Sequence, residues 1–138
     1  MTKQDIIDKV KAQNFPAGSY VVFGSCPLAA ADIRESADID MLVSPELLET
    51  LKQKGWQQID KGANDKPYTY DVFEAHSSWD FSSYSPTLDQ LLGTADTIEG
   101  VPFASLQEVR KWKVASSRPK DLRDIELIDS YFAQHVSP

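Results

Sequence analysis

Two aspartates stand inside an apolar run of the sequence, at a spacing that could bind a metal ion. Asp38 and Asp40 belong to the segment DIDMLV, which otherwise resembles a buried strand. Side chains alternate between the faces of a strand, so the two carboxylates would share a face, about 7 Å apart or less. Two anions that close repel each other unless a cation neutralises them. Mg²⁺ is usually held by one or two carboxylates together with substrate phosphates, so the pair predicts such a cation site.

A Gly-Ser turn lies upstream of this pair and could bind an anion. Gly24 and Ser25 end a predicted strand from Ser19 to Phe23 and open into a short helix. A strand-to-helix turn of this kind leaves backbone N–H groups and a hydroxyl directed at one spot, which favours a phosphate. Twelve residues separate Ser25 from Asp38. That length lets a short helix return the chain to a neighbouring strand, so the turn and the carboxylates would meet at one end of the sheet.

A third carboxylate is expected on a later strand. The segment TYDVFEA belongs to a predicted strand from Tyr68 to Glu74 and offers Asp71. Glu74 lies an odd number of residues from Asp71 and should face the other side, so Asp71 is the preferred partner. A lone Gly-Ser turn is common, and a lone Asp-x-Asp pair is more often solvated than metal-bound. The three features together, in this order and spacing, favour a functional site.

The composition indicates a single globular domain over residues 1–138. Apolar residues make up 41% and charged residues 25% of the chain, close to the averages of globular proteins. The one cysteine, Cys26, cannot form an internal disulfide, and the charged N-terminal segment lacks an apolar signal-peptide core. No apolar run approaches the roughly 20 residues that cross a bilayer. We therefore expect a cytoplasmic protein that does not insert into a membrane.

The charge distribution limits the classes of partner. The formal net charge of −7 disfavours binding to an extended nucleic-acid duplex, which requires clustered Lys and Arg. Near the C-terminus, however, six of the fourteen Lys and Arg residues fall within one short segment. Its cations could hold a phosphate or a carboxylate, or they could pair with neighbouring acidic residues on a solvated helix face. The six residues are Arg110, Lys111, Lys113, Arg118, Lys120 and Arg123.

Helix and strand patterns alternate along the chain, which predicts an α/β or α+β fold with a mixed sheet flanked by helices. Ser44 followed by Pro45 is typical of a helix N-cap and first turn, and Ser105 with Glu108 has capping-box spacing. The predicted helices are Thr2 to Gln13, a short one within PLAAADIRE, Pro45 to a stop at Gly55, one after Ser105 and a last one from Pro119. The predicted strands are Ser19 to Phe23, residues 38–43, Trp56 to Asp60, Tyr68 to Glu74 and residues 101–105.

The last helix is expected to bury one apolar stripe against the core. The segment KGANDKP, residues 61–67, is rich in turn residues. Residues 76–99 mix a Ser-rich loop with a short helical pattern around residues 88–92, and no firm assignment is made there. The expected stripe consists of Leu122, Ile125, Ile128 and Phe132.

The order of Gly-Ser, about a dozen residues and then Asp-Ile-Asp in an apolar run resembles the nucleotidyltransferase superfamily with the DNA polymerase beta-like fold. The string FGSCPLAAADIRESADIDMLVS is similar to a bacterial subgroup of small nucleotidyltransferase-like proteins. The C-terminal segment VPFASLQEVRKWKVASSRPKDLRDIELID resembles the tail of the same subgroup. The resemblance covers most of the chain and is weakest from His76 to Glu99.

The resemblance implies an Mg²⁺-dependent enzyme that transfers a nucleoside monophosphate from an NTP to a hydroxyl of a small molecule, a protein or an RNA end. Gly24 and Ser25 would bind the triphosphate. Asp38 and Asp40 would bind Mg²⁺, and Asp71 would be a third metal ligand that helps to activate the acceptor hydroxyl. Two ions would clamp the attacking and leaving oxygens of an in-line displacement that releases pyrophosphate.

The basic residues of the tail and of the loop before the acidic pair also match the subgroup. Lys113, Arg118 and Lys120 occupy its basic positions, and the resemblance suggests phosphate or acceptor contacts for them. Arg34 would either lock its loop against Asp32 or Glu35, or reach a substrate phosphate.

Two departures lie in the same stretch. Asp32 replaces a glycine found in many relatives, and Ala37 replaces a serine beside the acidic pair. The first could change how the short helix turns, and the second removes a hydroxyl near the predicted metal site.

Two other interpretations compete with the enzyme. The first is a nucleotidyltransferase-like fold with a degenerate site that acts as a binding or regulatory module, such as one half of a toxin–antitoxin pair. The shortness of the chain favours this module, which would act with a protein partner or as a homodimer, because little room remains for an acceptor-binding domain. Retention of three carboxylates favours the enzyme. The second is an inert domain whose acidic pair only decorates the surface.

Overall fold

The structure, a computed structural model, describes residues 1–62, 65–81 and 83–135. Over these ranges the chain is an α/β fold in which six helices pack on a mixed sheet of seven strands, as the sequence predicts. The helices are α1 Lys3–Gln13, α2 Cys26–Ala30, α3 Pro45–Gln53, α4 Leu88–Gly93, α5 Leu106–Ser116 and α6 Pro119–Gln134. The strands are β1 Tyr20–Phe23, β2 Ile39–Val43, β3 Gln57–Gln58, β4 Tyr68–Tyr70, β5 Phe73–His76, β6 Asp96–Ile98 and β7 Val101–Phe103.

The predicted starts of three helices are confirmed, two by a side-chain hydrogen bond and one by its opening proline. The hydroxyl of Ser44 accepts from the backbone N–H of Leu47 at 3.1 Å, and Pro45 opens α3. The hydroxyl of Ser105 accepts from the N–H of Glu108 at 3.3 Å. Proline opens α6 as well, where its missing N–H removes no intrahelical bond.

The strand order explains how distant residues come together. The sheet runs β3-β4-β5-β2-β1-β7-β6, with β2 antiparallel to β1 and parallel to β5. In this register Asp40 lies opposite Phe23 on one side and opposite Glu74 on the other. Neighbouring strands are about 4.8 Å apart, so residues paired in register stand side by side on the same face. The two carboxylates are therefore neighbours.

Side-chain alternation separates the core into two hydrophobic clusters within the described ranges. The first cluster contains Val22, Ile39, Met41 and Phe73 on one sheet face, covered mainly by α1 and α3. The second cluster lies on the other face, with Phe23 among its members, and is covered by α4, α5 and α6. Asp40, Glu74 and His76 alternate with residues of the first cluster, so they belong to the face of the second cluster.

The predicted strand from Tyr68 to Glu74 is two strands. The chain reverses at Asp71, whose φ of 53° is left-handed, and β4 and β5 then pair as an antiparallel hairpin. Side-chain parity does not carry across a reversal of this kind, which is why Glu74 does not face where a single strand would place it. Residues 63 and 64 of the predicted turn KGANDKP lie outside the described ranges.

The predicted apolar stripe of α6 is only partly correct. Ile128 is fully buried, but Leu122 is 55% exposed. The buried positions of the first two turns are Asp121 and Asp124, which are 0% and 4% exposed. Their carboxylates pair with the buried ammonium of Lys113 on α5, so an ionic contact takes the place of apolar packing where the two helices meet.

Residues 76–99, whose sequence pattern is the least regular, add α4 and β6 and a bridge between Phe81 and Tyr84. Residue 82 lies outside the described ranges. The cap of α4 is complete, since the hydroxyl of Thr87 accepts from the N–H of Gln90 and the amide oxygen of Gln90 accepts from the N–H of Thr87. Within the part of the chain that the structure describes, every helix is too short or too polar to cross a lipid bilayer.

Candidate active site

A cavity of about 600 Å³ opens on the face of the second cluster, beside the carboxyl end of β1 and the amino ends of β2 and β5. Its volume is within the range of small-molecule sites. One wall is acidic and comes from β2 and β5, and the other is cationic and comes from α5, α6 and the loop after α2. Seven of the residues predicted from the sequence line it: Ser25, Arg34, Asp38, Asp40, Lys113, Arg118 and Lys120.

The acidic wall centres on a cluster of three side chains from two adjacent strands. Atoms of Asp40, Glu74 and His76 that could bind a metal all lie within 4.8 Å of one another. The Nε2 of His76 is 3.1 Å from Oδ1 of Asp40. Lys61, from the segment after β3, forms an ion pair with the carboxylate of Glu74. The cluster thus contains two anions in contact and cationic or hydrogen-bonding groups around them.

The two carboxylates have opposite pKa shifts. Burial alone would raise the pKa of Asp40, but hydrogen bonds with His76 and Glu74 outweigh it and the pKa is lowered. Burial and the hydrogen bond with Asp40 raise the pKa of Glu74. Glu74 is therefore the member of the pair that holds a proton most readily. A pair of this kind accommodates either a shared proton or a cation.

Gly24 is the residue that lets Asp40 take this position. Its φ is 63°, and a Cβ built there would lie 2.5 Å from Oδ2 of Asp40 and 2.9 Å from the Cβ of Asp40. A side chain at position 24 would therefore collide with the carboxylate and strain the backbone. The glycine of the Gly-Ser turn therefore leaves the space that the carboxylate of Asp40 occupies.

Ser25 follows at the N-cap position of α2, but its hydroxyl does not cap that helix. Instead, Oγ accepts a hydrogen bond of 2.9 Å from Nη2 of Arg34. Of the two predicted partners of Arg34, Asp32 pairs with Lys3 instead, whereas Glu35 does contact Arg34. Its guanidinium makes a bidentate pair with Asp124 of α6, and Glu35 contributes only its backbone carbonyl.

The cationic wall is built around the buried carboxylates of α6. The ammonium of Lys113, 2% exposed, is 2.9 Å from Asp124 and 3.4 Å from Asp121. Arg118 binds the Asp121 carboxylate through Nε at 2.7 Å and Nη2 at 3.0 Å. Burial opposes ionisation of Asp121, but the hydrogen bonds from Arg118 prevail and bring its pKa to about 2. Lys120 is exposed at the edge of this wall.

Asp38 stands at the rim of the cavity and is more exposed than Asp40. Its backbone carbonyl accepts from Oγ of Ser36 at 2.9 Å and from Sγ of Cys26 at 3.1 Å, which ties the segment before β2 to α2. Burial raises the pKa of the Cys26 thiol to about 12, so the thiolate needed for nucleophilic chemistry is suppressed.

Asp71 lies apart from the other predicted residues. It occupies the turn between β4 and β5, is exposed, and its carboxylate is 3.2 Å from the ammonium of Lys9 on α1. Among the described residues that line the cavity, the third strand carboxylate is Glu74. The sequence did contain a signal for it, because in FEAH the apolar Phe73 and Ala75 alternate with polar Glu74 and His76.

Comparison of the chain with protein-family models, with curated proteins and with solved structures gives no match in any of the three. The acidic wall can hold a divalent cation, and the cationic wall with Ser25 can hold an anion. The two walls face one cavity, whose volume is that of a small-molecule site.

Proposed function

We propose that the protein is an Mg²⁺-dependent nucleotidyltransferase that transfers a nucleoside monophosphate from an NTP to an acceptor hydroxyl. The observation that carries this proposal is the side-by-side placement of Asp40 and Glu74 on parallel strands, above Gly24 and facing the same cavity as Ser25. The resemblance of the Gly-Ser and Asp-Ile-Asp motifs to that superfamily supports it. Glu74 replaces Asp71 as the third carboxylate of the proposed site.

The donor set fits a hard divalent cation. Asp40 and Glu74 present oxygens within 4.8 Å of each other, and burial together with the neighbouring Asp40 raises the pKa of Glu74. Asp38, at the rim, would complete the set of three carboxylates, while His76 orients Asp40 through its hydrogen bond. Mg²⁺ bound there would neutralise this charge and stabilise the charge that develops on the phosphate oxygens.

Side chains that line the cavity would have separate roles in the transfer. The acceptor oxygen forms a bond to the α-phosphorus, the bond between the α-phosphorus and the bridging oxygen breaks, and pyrophosphate leaves. Glu74, as the third carboxylate of the proposed site, would accept the proton of the acceptor hydroxyl. Ser25, Arg118 and Lys120 would bind and orient the phosphates from the opposite wall.

The proposal is tested by thermal unfolding of the protein with each of the four NTPs, with and without Mg²⁺. A ligand at one hundred times its Kd should add about 2.7 kcal/mol of stability. We expect an Mg²⁺-dependent gain with at least one NTP in the wild type and none in Asp40→Asn or Glu74→Gln. Without Mg²⁺, Glu74→Gln should be more stable than the wild type at neutral pH, because ionising a carboxyl whose folded pKa is raised destabilises the fold.

Asp71→Asn is the matched control, since it removes a carboxylate from the same hairpin but from outside the cavity. It should retain the full gain with Mg²⁺ and NTP. Loss of the gain in Asp71→Asn and its retention in Glu74→Gln would reverse our assignment of the third carboxylate. Retention in Asp40→Asn would exclude the proposed mechanism.

A second candidate function is a binding or regulatory module on the same fold, such as one half of a toxin–antitoxin pair. It is favoured by the ion pairs that already neutralise the walls, because Lys61 pairs with Glu74 and the cations of the other wall pair with Asp121 and Asp124. This module would show no stabilisation by Mg²⁺ with any NTP, and the protein would co-purify with a protein partner.

A further inference from the structure

The guanidinium of Arg34 connects helix α6 to the Gly-Ser turn. Its Nε and Nη2 donate to the two carboxylate oxygens of Asp124 at 2.9 and 2.8 Å. The same Nη2 also donates to Oγ of Ser25 at 2.9 Å, and Nη1 donates to the carbonyl of Glu35. Asp124 lies ninety positions after Arg34 in the sequence. Every nitrogen of the guanidinium group is thus engaged, so its plane has a defined orientation.

Asp124 is itself held from the other side. Its carboxylate is 4–5% exposed and accepts from the ammonium of Lys113 at 2.9 Å, while Lys113 also contacts Asp121. Burial would raise the pKa of Asp124, but the hydrogen bonds from Arg34 and Lys113 outweigh burial and lower it. The carboxylate is therefore ionised and fixed at neutral pH, unlike a surface carboxylate that moves with its side chain.

The bond from Arg34 determines what the Ser25 hydroxyl can do. A serine oxygen that accepts from a cation directs its own proton away from that cation, so the hydroxyl acts as a donor. The hydroxyl of Ser25 does not cap α2, and Ser25 lines the cavity. The nearby positive charge also strengthens donation to an anion.

We infer that Asp124 is a positioning residue that, through Arg34, sets the Ser25 hydroxyl as a hydrogen-bond donor to a phosphate group in the cavity. Helix α6 thereby takes part in the site without contacting the ligand through Asp124. The identity of the anion as a phosphate of the nucleotide rests on the proposed function, whereas the link from α6 to the turn does not.

The link itself is tested on the protein alone, by proton–nitrogen NMR of isotope-labelled wild type and variants. Arg34→Lys keeps the charge but replaces the fork by a single ammonium, which cannot bridge Asp124 and Ser25 with the same geometry. Arg34→Lys and Asp124→Asn should shift the same amide signals, those of Gly24 and Ser25. Asp124→Asn should also remove the protection of the Arg34 Nε–H against exchange with water.

Asp129→Asn is the matched control. Asp129 is also on α6 and forms a bidentate pair with Arg110, but this pair lies outside the cavity. The control variant should leave the signals of Gly24 and Ser25 unchanged. If Asp124→Asn, like the control, leaves the signals of Gly24 and Ser25 unchanged, the positioning role is wrong. If Asp124→Asn fails to fold, Arg34→Lys and Arg34→Gln provide the test. The side chain of Arg34 is 35% exposed, so its substitution should destabilise the fold less than substitution of the buried Asp124.

The consequence for binding is measured by titration calorimetry with inorganic tripolyphosphate and Mg²⁺. Ser25→Ala, Asp124→Asn and Arg34→Lys should each weaken binding about tenfold, the effect of one charge-assisted hydrogen bond. The double variant Ser25→Ala/Asp124→Asn should bind no more weakly than either single variant, because both remove the same interaction. Additive losses in the double variant would mean that Asp124 acts independently of Ser25 and would overturn the inference.

The two proposals fail separately. If the wild type binds neither tripolyphosphate nor any NTP, the proposed function is contradicted, and the NMR comparison still decides whether Asp124 positions Ser25. If the wild type binds tripolyphosphate or an NTP, but Asp124→Asn does not shift the amide signals of Gly24 and Ser25, the proposed function stands and the positioning role is excluded.

Discussion

Single residues decide whether the two carboxylates can approach each other. Asp40 reaches its place beside Glu74 because Gly24, on the neighbouring strand end, has no side chain to block it. The left-handed backbone at Gly24 is a further reason for a glycine, since L-residues with a Cβ lose about 1–2 kcal/mol there. The steric effect of a Cβ and its effect on the backbone can be separated by experiment, because Gly18 also has a positive φ but has open space around it.

Gly24→Ala should therefore destabilise the protein more than Gly18→Ala. Both glycines have positive φ, 63° and 78°, but a Cβ at Gly18 meets nothing within 4 Å. We expect a loss of about 1–2 kcal/mol for Gly18→Ala from backbone strain alone, and a further 1–3 kcal/mol or so for Gly24→Ala from displacement of Asp40.

Urea unfolding followed by tryptophan fluorescence measures both losses, and calorimetry with Mg²⁺ measures the consequence for the cavity. Only Gly24→Ala should weaken Mg²⁺ binding. Equal losses in the two variants would show that Asp40 moves aside without strain.

At the scale of elements, helix α6 combines an apolar and an ionic contact. Its C-terminal half packs Ile128 into the second cluster, whereas its N-terminal half turns Asp121 and Asp124 toward Lys113. Leu122, which hydrophobic spacing alone would bury, is left on the outside. The ionic half of the helix faces the cavity, so the departure from an apolar stripe coincides with the candidate site.

Leu122 and Ile128 should consequently respond differently to truncation. Ile128→Ala removes a fully buried side chain and should reduce the free energy of unfolding by about 2–5 kcal/mol. Leu122→Ala removes an exposed one and should change it by no more than about 0.5 kcal/mol. Denaturant unfolding of the two variants checks this, and a large loss in Leu122→Ala would mean that α6 is rotated relative to the structure described here.

At the scale of the whole molecule, charge is distributed unevenly over an acidic protein. The net charge is −7, yet one wall of the cavity gathers Arg34, Lys113, Arg118 and Lys120. Two buried aspartates of α6 hold that wall together. Its stability therefore depends on keeping those carboxylates ionised, which makes it sensitive to acid.

The acid sensitivity has a defined sign. Asp121 has a pKa of about 2 in the folded protein, below the ordinary value of 3.8 for an aspartate, so the folded state favours its ionised form. Its contribution, of order 2 kcal/mol, is fully present above the unfolded pKa and is lost as the pH falls from about 4 toward 2. Unfolding free energies from urea titrations across this range should fall more steeply for the wild type than for Asp121→Asn. The hydrogen bonds from Arg110 also lower the pKa of Asp129, but solvent screens this half-exposed pair, so Asp129→Asn should stay closer to the wild type than Asp121→Asn does. Parallel slopes for all three proteins would contradict the assignment.

Several features of the fold and site follow from local sequence. The α/β class, the caps at Ser44 and Ser105, and the placement of Ser25, Asp38 and Asp40 on one cavity are all set by short-range patterns. Alternation along a strand and spacing along a helix are local geometric rules, so residues close in sequence are assigned to faces reliably.

Tertiary structure alone decided the rest. Glu74 joined Asp40, and Asp71 left it, because a chain reversal at residue 71 divides one apparent strand into two and resets side-chain parity. The pairing of Arg34 with Asp124 joins positions ninety residues apart. The burial of charged positions in α6 depends likewise on Lys113 of another helix. Sequence periodicity reports which face a residue occupies within its own element, but which charges meet across elements depends on the topology of the sheet and the packing of helices upon it.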